Sequence, residues 1–176
     1  MRRVSSIEQL AEAGGSSRAP PEPLAYELIE LFFFAYRDFV GAPDRVLAEY
    51  GLGRAHHRVL HFVARRPDLT IADLLDTLKI TKQSLNRVLK QLIEAGFISQ
   101  RAGPADRRQR LLRATESGRD LALRLARLQT ARLSRALEGC ADADERTAIS
   151  RFLFGMVDPA ERAKVRRTVG GATIPA

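Results

Sequence analysis

Apolar residues recur along the chain in blocks of helical period, separated by short polar and glycine-containing breaks. From the start of the first block they fall at Leu24, Leu28, Leu31, Ala35 and Phe39, steps of three and four that predict one buried stripe on a helix. Phe32, Phe33, Phe34 and Tyr36 widen the stripe beyond what a lone surface helix needs. Gly51 and Gly53 precede a second helix, Ala55 to Ala64, with Val59, Leu60, Phe62 and Val63 as its core residues and Pro67 as its stop. Thr70 caps a short third helix, Asp73 occupies the capping-box position, and Ile71, Leu74, Leu75 and Leu78 form its apolar face. Thr81 is the expected N-cap of a fourth helix running to Ala95, with Gly96 as the residue that ends it.

Beyond that glycine the period changes. Phe97 to Arg101 and Arg110 to Ala114 read as two short strands around a Gly/Pro-containing basic loop, a β-hairpin. Thr115 caps a long helix carrying Leu121, Leu125, Leu128, Leu133 and Leu137. Asp142 and Glu145 form a second capping-box pair before a last helix with Ile149, Phe152, Leu153 and Met156, ended by Pro159. The fold class is mainly α with a small β-hairpin wing. Two helices joined by a tight turn, followed by that hairpin, have the order of a winged helix-turn-helix with a helical dimerisation lobe. The expected divisions are a flexible arm over 1–23, a dimerisation helix over 24–50 and the winged helix-turn-helix over 51–115. C-terminal dimerisation helices over 116–157 and a flexible tail over 158–176 follow.

Charge sharpens this picture. The 176 residues suit one compact domain, and 29 Lys and Arg against 21 Asp and Glu leave a net +8. Arg54 to Arg113 holds 13 basic and five acidic residues, so the whole surplus sits in one third of the chain and calls for a polyanionic partner there. The single Cys140 excludes an intrachain disulfide scaffold, and no zinc-ligand spacing is present. Met1 to Pro23 lacks a signal-peptide core, and Leu24 to Val40 is interrupted by Glu27, Glu30, Arg37 and Asp38, so no membrane partner is expected and the location reads as cytoplasmic. No cofactor or catalytic set is implied, and the chain does not read as an enzyme.

Within the fourth helix, Leu85, Val88, Leu89 and Leu92 take the core spacing and leave Lys82, Gln83, Asn86, Arg87 and Lys90 on one outward face. Arginine can bond guanine in two places and asparagine or glutamine adenine in two, whereas Thr81, Lys82 and Ser84 at the helix start suit phosphate. A Gly103-Pro104 tip carrying Arg101, Arg107, Arg108 and Arg110 suits a narrow, negative minor groove. Double-stranded DNA is therefore the expected partner.

The run from Ile80 to Ile98, followed by Asp106, Arg108, Thr115 and Gly118 in the pattern Asp-x-Arg, strand, Thr-x-x-Gly, resembles the MarR family of bacterial regulators. The resemblance spans about residues 24 to 156. Ala114 stands where the family usually has Leu. The His56 to Leu60 stretch and the Thr81 to Ser84 run look most like the PetP/LdtR-like branch. The resemblance implies a homodimer whose wings straddle a pseudo-palindromic operator, acting as a repressor more often than as an activator. It also implies that Arg108 enters the minor groove and that Asp106 orients the wing through a basic neighbour.

Three signals remain. His57 and His61, four apart on a helix, share a face as a metal site would need, but no third ligand completes a set, and partly buried hinge histidines are the better reading. Cys140 lies beside the turn before the last helix, away from where redox-sensing relatives carry theirs. The aromatic run with Arg37 reads as dimer core or as an effector cleft; the resemblance implies a small aromatic acid there, lined by Tyr36, Arg37, His57 and His61. The rival functions are a non-specific architectural DNA binder and a metal-dependent hydrolase using His57 and His61.

Overall fold

The computed structural model describes residues 24–104, 106, 108–139 and 143–170. The expected arm over 1–23, and with it Arg107, Cys140, Asp142 and residues 171–176, lie outside the described residues. In chain order the elements are α1 (Tyr26–Ala48), α2 (Arg54–Arg65), β1 (Leu69–Thr70), α3 (Ile71–Leu78) and α4 (Lys82–Glu94). The strands β2 (Ile98–Ala102) and β3 (Arg110–Ala114) follow, then α5 (Glu116–Leu137), α6 (Ala143–Gly155) and α7 (Arg162–Val169). The winged helix-turn-helix read from the sequence is the observed fold, with one strand more than the hairpin. The sheet order is β1-β3-β2, all antiparallel, and β1 pairs Leu69 with Leu112. No helix among the described residues is long and apolar enough to cross a membrane.

Local chemistry sets the boundaries. Thr70 Oγ1 accepts from the Asp73 N–H at 3.0 Å while Asp73 Oδ2 accepts from the Thr70 N–H at 3.0 Å, a reciprocal cap for α3. Lys79 (φ 50°) closes that helix in the left-handed region, and Gly96 (φ 76°) does so after α4. The core gathers Leu60, Leu74, Leu85, Leu92, Ile98, Leu112 and Leu125, all fully buried. Each such side chain contributes roughly 1.5–3 kcal/mol of transfer free energy.

Three differences from the sequence pattern stand out. Leu24, Leu28 and Leu31 are 71, 57 and 55% exposed in the single chain, not buried; the part of α1 that enters the core is Val40, Pro43, Val46 and Leu47. The helix itself, with Pro43 inside it, lies within the expected 24–50. β1 is a two-residue strand whose existence depends on the free edge of β3. The stretch read as a tail contains α7, held by charged groups: Lys79 Nζ meets Glu161 at 2.9 Å, Lys164 pairs with Asp76, and the Arg166 guanidinium lies 4.9 Å from the Phe154 ring centre.

The sheet joins α5 at a crowded point. Thr115 N–H donates to the Phe97 carbonyl at 3.1 Å, and Thr115 Oγ1 accepts from the Gly118 N–H at 3.0 Å. Gly118 lies so close to that same carbonyl that a Cβ would overlap its oxygen and sit 2.9 Å from its carbon. Only backbone could yield, so Gly118→Ala is expected to lower unfolding stability by about 1–3 kcal/mol, read as a reduced urea midpoint with unchanged slope. An unchanged midpoint would mean that the junction is loose.

Candidate nucleic-acid interface

α4 carries the polar face expected of it. Leu85, Val88, Leu89 and Leu92 are buried, whereas Lys82, Gln83, Ser84, Asn86, Arg87 and Lys90 are exposed. Thr81 Oγ1 accepts from the Ser84 N–H at 3.2 Å and donates to Ser84 Oγ at 2.9 Å, so both hydroxyls serve the cap first. Lys90 pairs with Glu94 at 3.7 Å. Lys82 and Arg87 have no acidic partner among the described residues.

The wing loop is organised by its own backbone. Gly103 N–H donates to the Gln109 carbonyl at 2.9 Å, Gln109 N–H to the Asp106 carbonyl at 3.1 Å, and Arg108 N–H to Asp106 Oδ1 at 2.8 Å. Among the described residues, Asp106 is thus bonded to the main chain of its basic neighbour Arg108. A Cβ on Gly103 would lie 2.9 Å from the Asp106 carbonyl oxygen, which fixes glycine at the entry to the loop. Arg108 and Arg110 are exposed and have no acidic partner among the described residues.

Arg101 stands apart from the other wing cations. Its guanidinium reaches Asp68 Oδ1 at 3.0 Å, and Arg113 grips the same carboxylate with two bonds of 2.8 and 2.6 Å. Asp68 sits in the left-handed region (φ 66°) just before β1, and its N–H donates to the Leu112 carbonyl at 3.0 Å. One residue therefore ties β1 to both strands of the wing. Hydrogen bonds from Arg113, opposed by partial desolvation and reinforced by Arg101, hold its carboxyl at about 2. Nothing at Asp68 in the sequence pattern marks it, because its partners lie 33 and 45 residues away.

His56 supplies another link. Its Nδ1 accepts from the Gly53 N–H at 3.0 Å, so Nε2 carries the proton and donates to Gln91 Oε1 at 2.9 Å. The first turn of α2 is thereby pinned to α4.

A cavity of about 320 Å³ lies among α1, α2 and α5. Tyr36, His57 and His61 line it as expected, with Phe39, Phe62 and Gln129, but Arg37 does not. Arg37 hydrogen-bonds Asp38 at 2.8 Å with its side chain 63% exposed. It follows Tyr36 by one residue and points about 100° round the helix from it. The cations on the cavity are Arg54 and Arg58, which share one face of α2 with His57 and His61 at helical spacing. Arg54 pairs with Asp44 at 2.7 Å, and Arg58 donates to the Leu78 carbonyl at 3.1 Å. Burial and the neighbouring His61 push the His57 imidazole below its ordinary range; burial, with Arg65 and Arg66, does the same for His61. Among the described residues no group of three or more His, Cys, Asp or Glu converges as a metal site would require.

A model of the MarR family matches residues 50–109, which cover the helix-turn-helix and the wing loop. The chain is 48% identical over 108 residues to the HTH-type transcriptional regulator PetP of Rhodobacter capsulatus; the match covers 61% of this chain and 65% of that protein's length. Among solved structures, the crystal structure of MarR superposes with TM-score 0.61 at 22% identity, covering 85% of this chain and 97% of its own. The transcriptional repressor CouR, bound to a 23-mer DNA duplex, gives TM-score 0.58 at 25% identity, covering 74% of this chain and 89% of its own. These likenesses to solved structures establish the fold.

The depressed Asp68 carboxyl makes a pH-dependent contribution of definite sign. Its folded value of about 2 lies below its ordinary 3.8, so the stabilisation is complete above the ordinary value and drains away as pH falls through about 2. Asp68→Asn is expected to lower the melting temperature at pH 6, with the difference from wild type closing as pH is brought towards 2. A pH-independent difference, measured by circular dichroism, would assign the loss to shape and not to charge.

Proposed function

We propose that this winged-helix protein of the MarR type binds a pseudo-palindromic operator as a homodimer and represses transcription from it. The observation that carries the reading is a set of cations on α4 and the wing with no acidic partner among the described residues, Lys82, Arg87, Arg108 and Arg110, beside the base-reading amides of Gln83 and Asn86. A purely phosphate-holding surface would not need those amides. Leu24 and the N-terminal turns of α1, with Leu28, Leu31 and Phe33, are exposed, and α6 with its following residue exposes Phe152, Leu153 and Met156. Each is an apolar strip that a soluble monomer does not normally leave open, and a second copy of the chain is the occupant we assign to them.

Two-fold symmetry then asks for half-sites about one turn, roughly 10 base pairs, apart. Arg87→Ala is expected to weaken operator binding by about 1–3 kcal/mol and to relax preference at one base pair per half-site, whereas Lys82→Ala weakens all duplexes alike and flattens the salt dependence. Equal losses for both variants on operator and random DNA, measured by fluorescence anisotropy, would favour the architectural reading instead.

The cavity is the proposed effector site. Tyr36, Phe39 and Phe62 offer ring faces, and Arg58 reaches from it to the Leu78 carbonyl at the end of α3, so an occupant there touches a residue bonded to the helix-turn-helix. An aromatic carboxylate suits these groups. A coupling of about 1–3 kcal/mol would alter operator affinity 5- to 150-fold. Salicylate is expected to weaken operator binding, with Arg58→Gln blunting the response and Arg37→Ala retaining it. Loss of the response in Arg37→Ala alone would move the carboxylate to the other cation.

A further inference from the structure

A second, polar cleft of about 220 Å³ lies where the end of α2, the outer side of α3 and α7 meet, lined by Arg66, Thr77, Lys164, Arg167 and Thr168 beside two carboxylates. The carboxylates are already spoken for. Asp73 Oδ2 accepts from the Thr70 N–H and hydroxyl at 3.0 and 2.8 Å, and Asp76 is paired with Lys79 at 2.9 Å and with Lys164. Two guanidinium groups and two hydroxyls remain with no hydrogen bond among the described residues. Arg66 is the most telling of them: its guanidinium lies 5.2 Å from the Phe62 ring centre, and its Nη2 is buried without a hydrogen-bond partner. A buried guanidinium nitrogen left unpaired is costly, and an acceptor that enters the cleft removes the cost.

We propose that this α2–α3–α7 cleft is a phosphate-binding site. Arg66 from the end of α2, Thr77 from α3, and Arg167 and Thr168 from α7 approach from three elements, an arrangement that serves the dispersed oxygens of a tetrahedral oxyanion better than a flat carboxylate. The phosphate belongs either to a small phosphorylated molecule or to the DNA backbone beside the helix-turn-helix. Only the second source rests on the DNA-binding reading.

Thermal unfolding of the full chain in inorganic phosphate, against chloride at matched ionic strength, tests the site without DNA. Phosphate at about fivefold its dissociation constant is expected to raise the melting temperature of the wild type by about 2–4 °C. Arg167→Gln and Thr168→Val, both on α7, are expected to lose that shift, while Lys82→Ala with Arg108→Ala retains it. In parallel, the salt dependence of DNA binding separates the sources: a slope smaller by about 0.9 in Arg167→Gln assigns the phosphate to the DNA backbone, and an unchanged slope to a small molecule. A phosphate shift that survives in both α7 variants, or no shift together with an unchanged slope, overturns the proposal. Failure of the wild type to bind any operator would sink the regulator reading and leave the phosphate measurement standing.

Discussion

The close approach of Gly118 to the Phe97 carbonyl is the constraint on which the rest of the molecule depends. Phe97 ends the turn after α4, and Gly118 lies in the first turn of α5, so this single contact joins the helix-turn-helix to the long helix that follows. Thr115 works the same junction from three sides: its N–H donates to Phe97, its hydroxyl donates to the Gly96 carbonyl at 2.7 Å, and its oxygen caps Gly118. Once these are in place, the pairing of Ile98 with Ala114 is fixed, and with it the register of every pair out to the wing loop.

The basic surplus is sorted by this scaffold. Arg101 and Arg113 spend their charge on Asp68 and become structural, Lys79 spends its own on Asp76 and Glu161, and Arg54 meets Asp44. Among the described residues, Lys82 and Arg87 on α4 and Arg108 and Arg110 on the wing have no acidic partner, and neither do Arg66 and Arg167 beside the α2–α3–α7 cleft. A net charge read from composition therefore overstates the number of groups available to a polyanion, and the ion pairs decide which ones count.

Elements specified by neighbours in sequence were legible before the structure. The Thr70/Asp73 cap, the Thr81 cap, the Gly96 stop and the Thr115-x-x-Gly118 turn all depend on residues within four positions, and each falls where the pattern put it. The missed features depend on distant partners. β1 needs the edge of β3, α7 needs Asp76 and Lys79 far upstream, and Asp68 needs two arginines across the sheet. The cavity was half legible: Tyr36, His57 and His61 were chosen with the right phase, but Arg37 was chosen for its charge, whereas helical spacing on α2 already pointed to Arg54 and Arg58. The polar face of α4 was visible from its period alone. The Ser84 hydroxyl's bond to the Thr81 cap was not.

The imidazole of His56 is a rigid plate with an acceptor on one edge and a donor on the other, and both edges are engaged. The turn at Gly53 and the Gln91 side chain on α4 are consequently held at a spacing set by one aromatic ring, with no flexible methylene between the two bonds. Sliding α4 against the start of α2 strains both bonds, so the ring resists that movement. The connector before α2, 49–53, is tied down as well: the Leu52 N–H donates to the Leu47 carbonyl at 3.0 Å, and the Tyr50 ring meets Phe97 edge-on at 5.3 Å. The start of α2 is consequently clamped on two sides, to α4 through an aromatic ring and to the end of α1 through the Arg54–Asp44 pair.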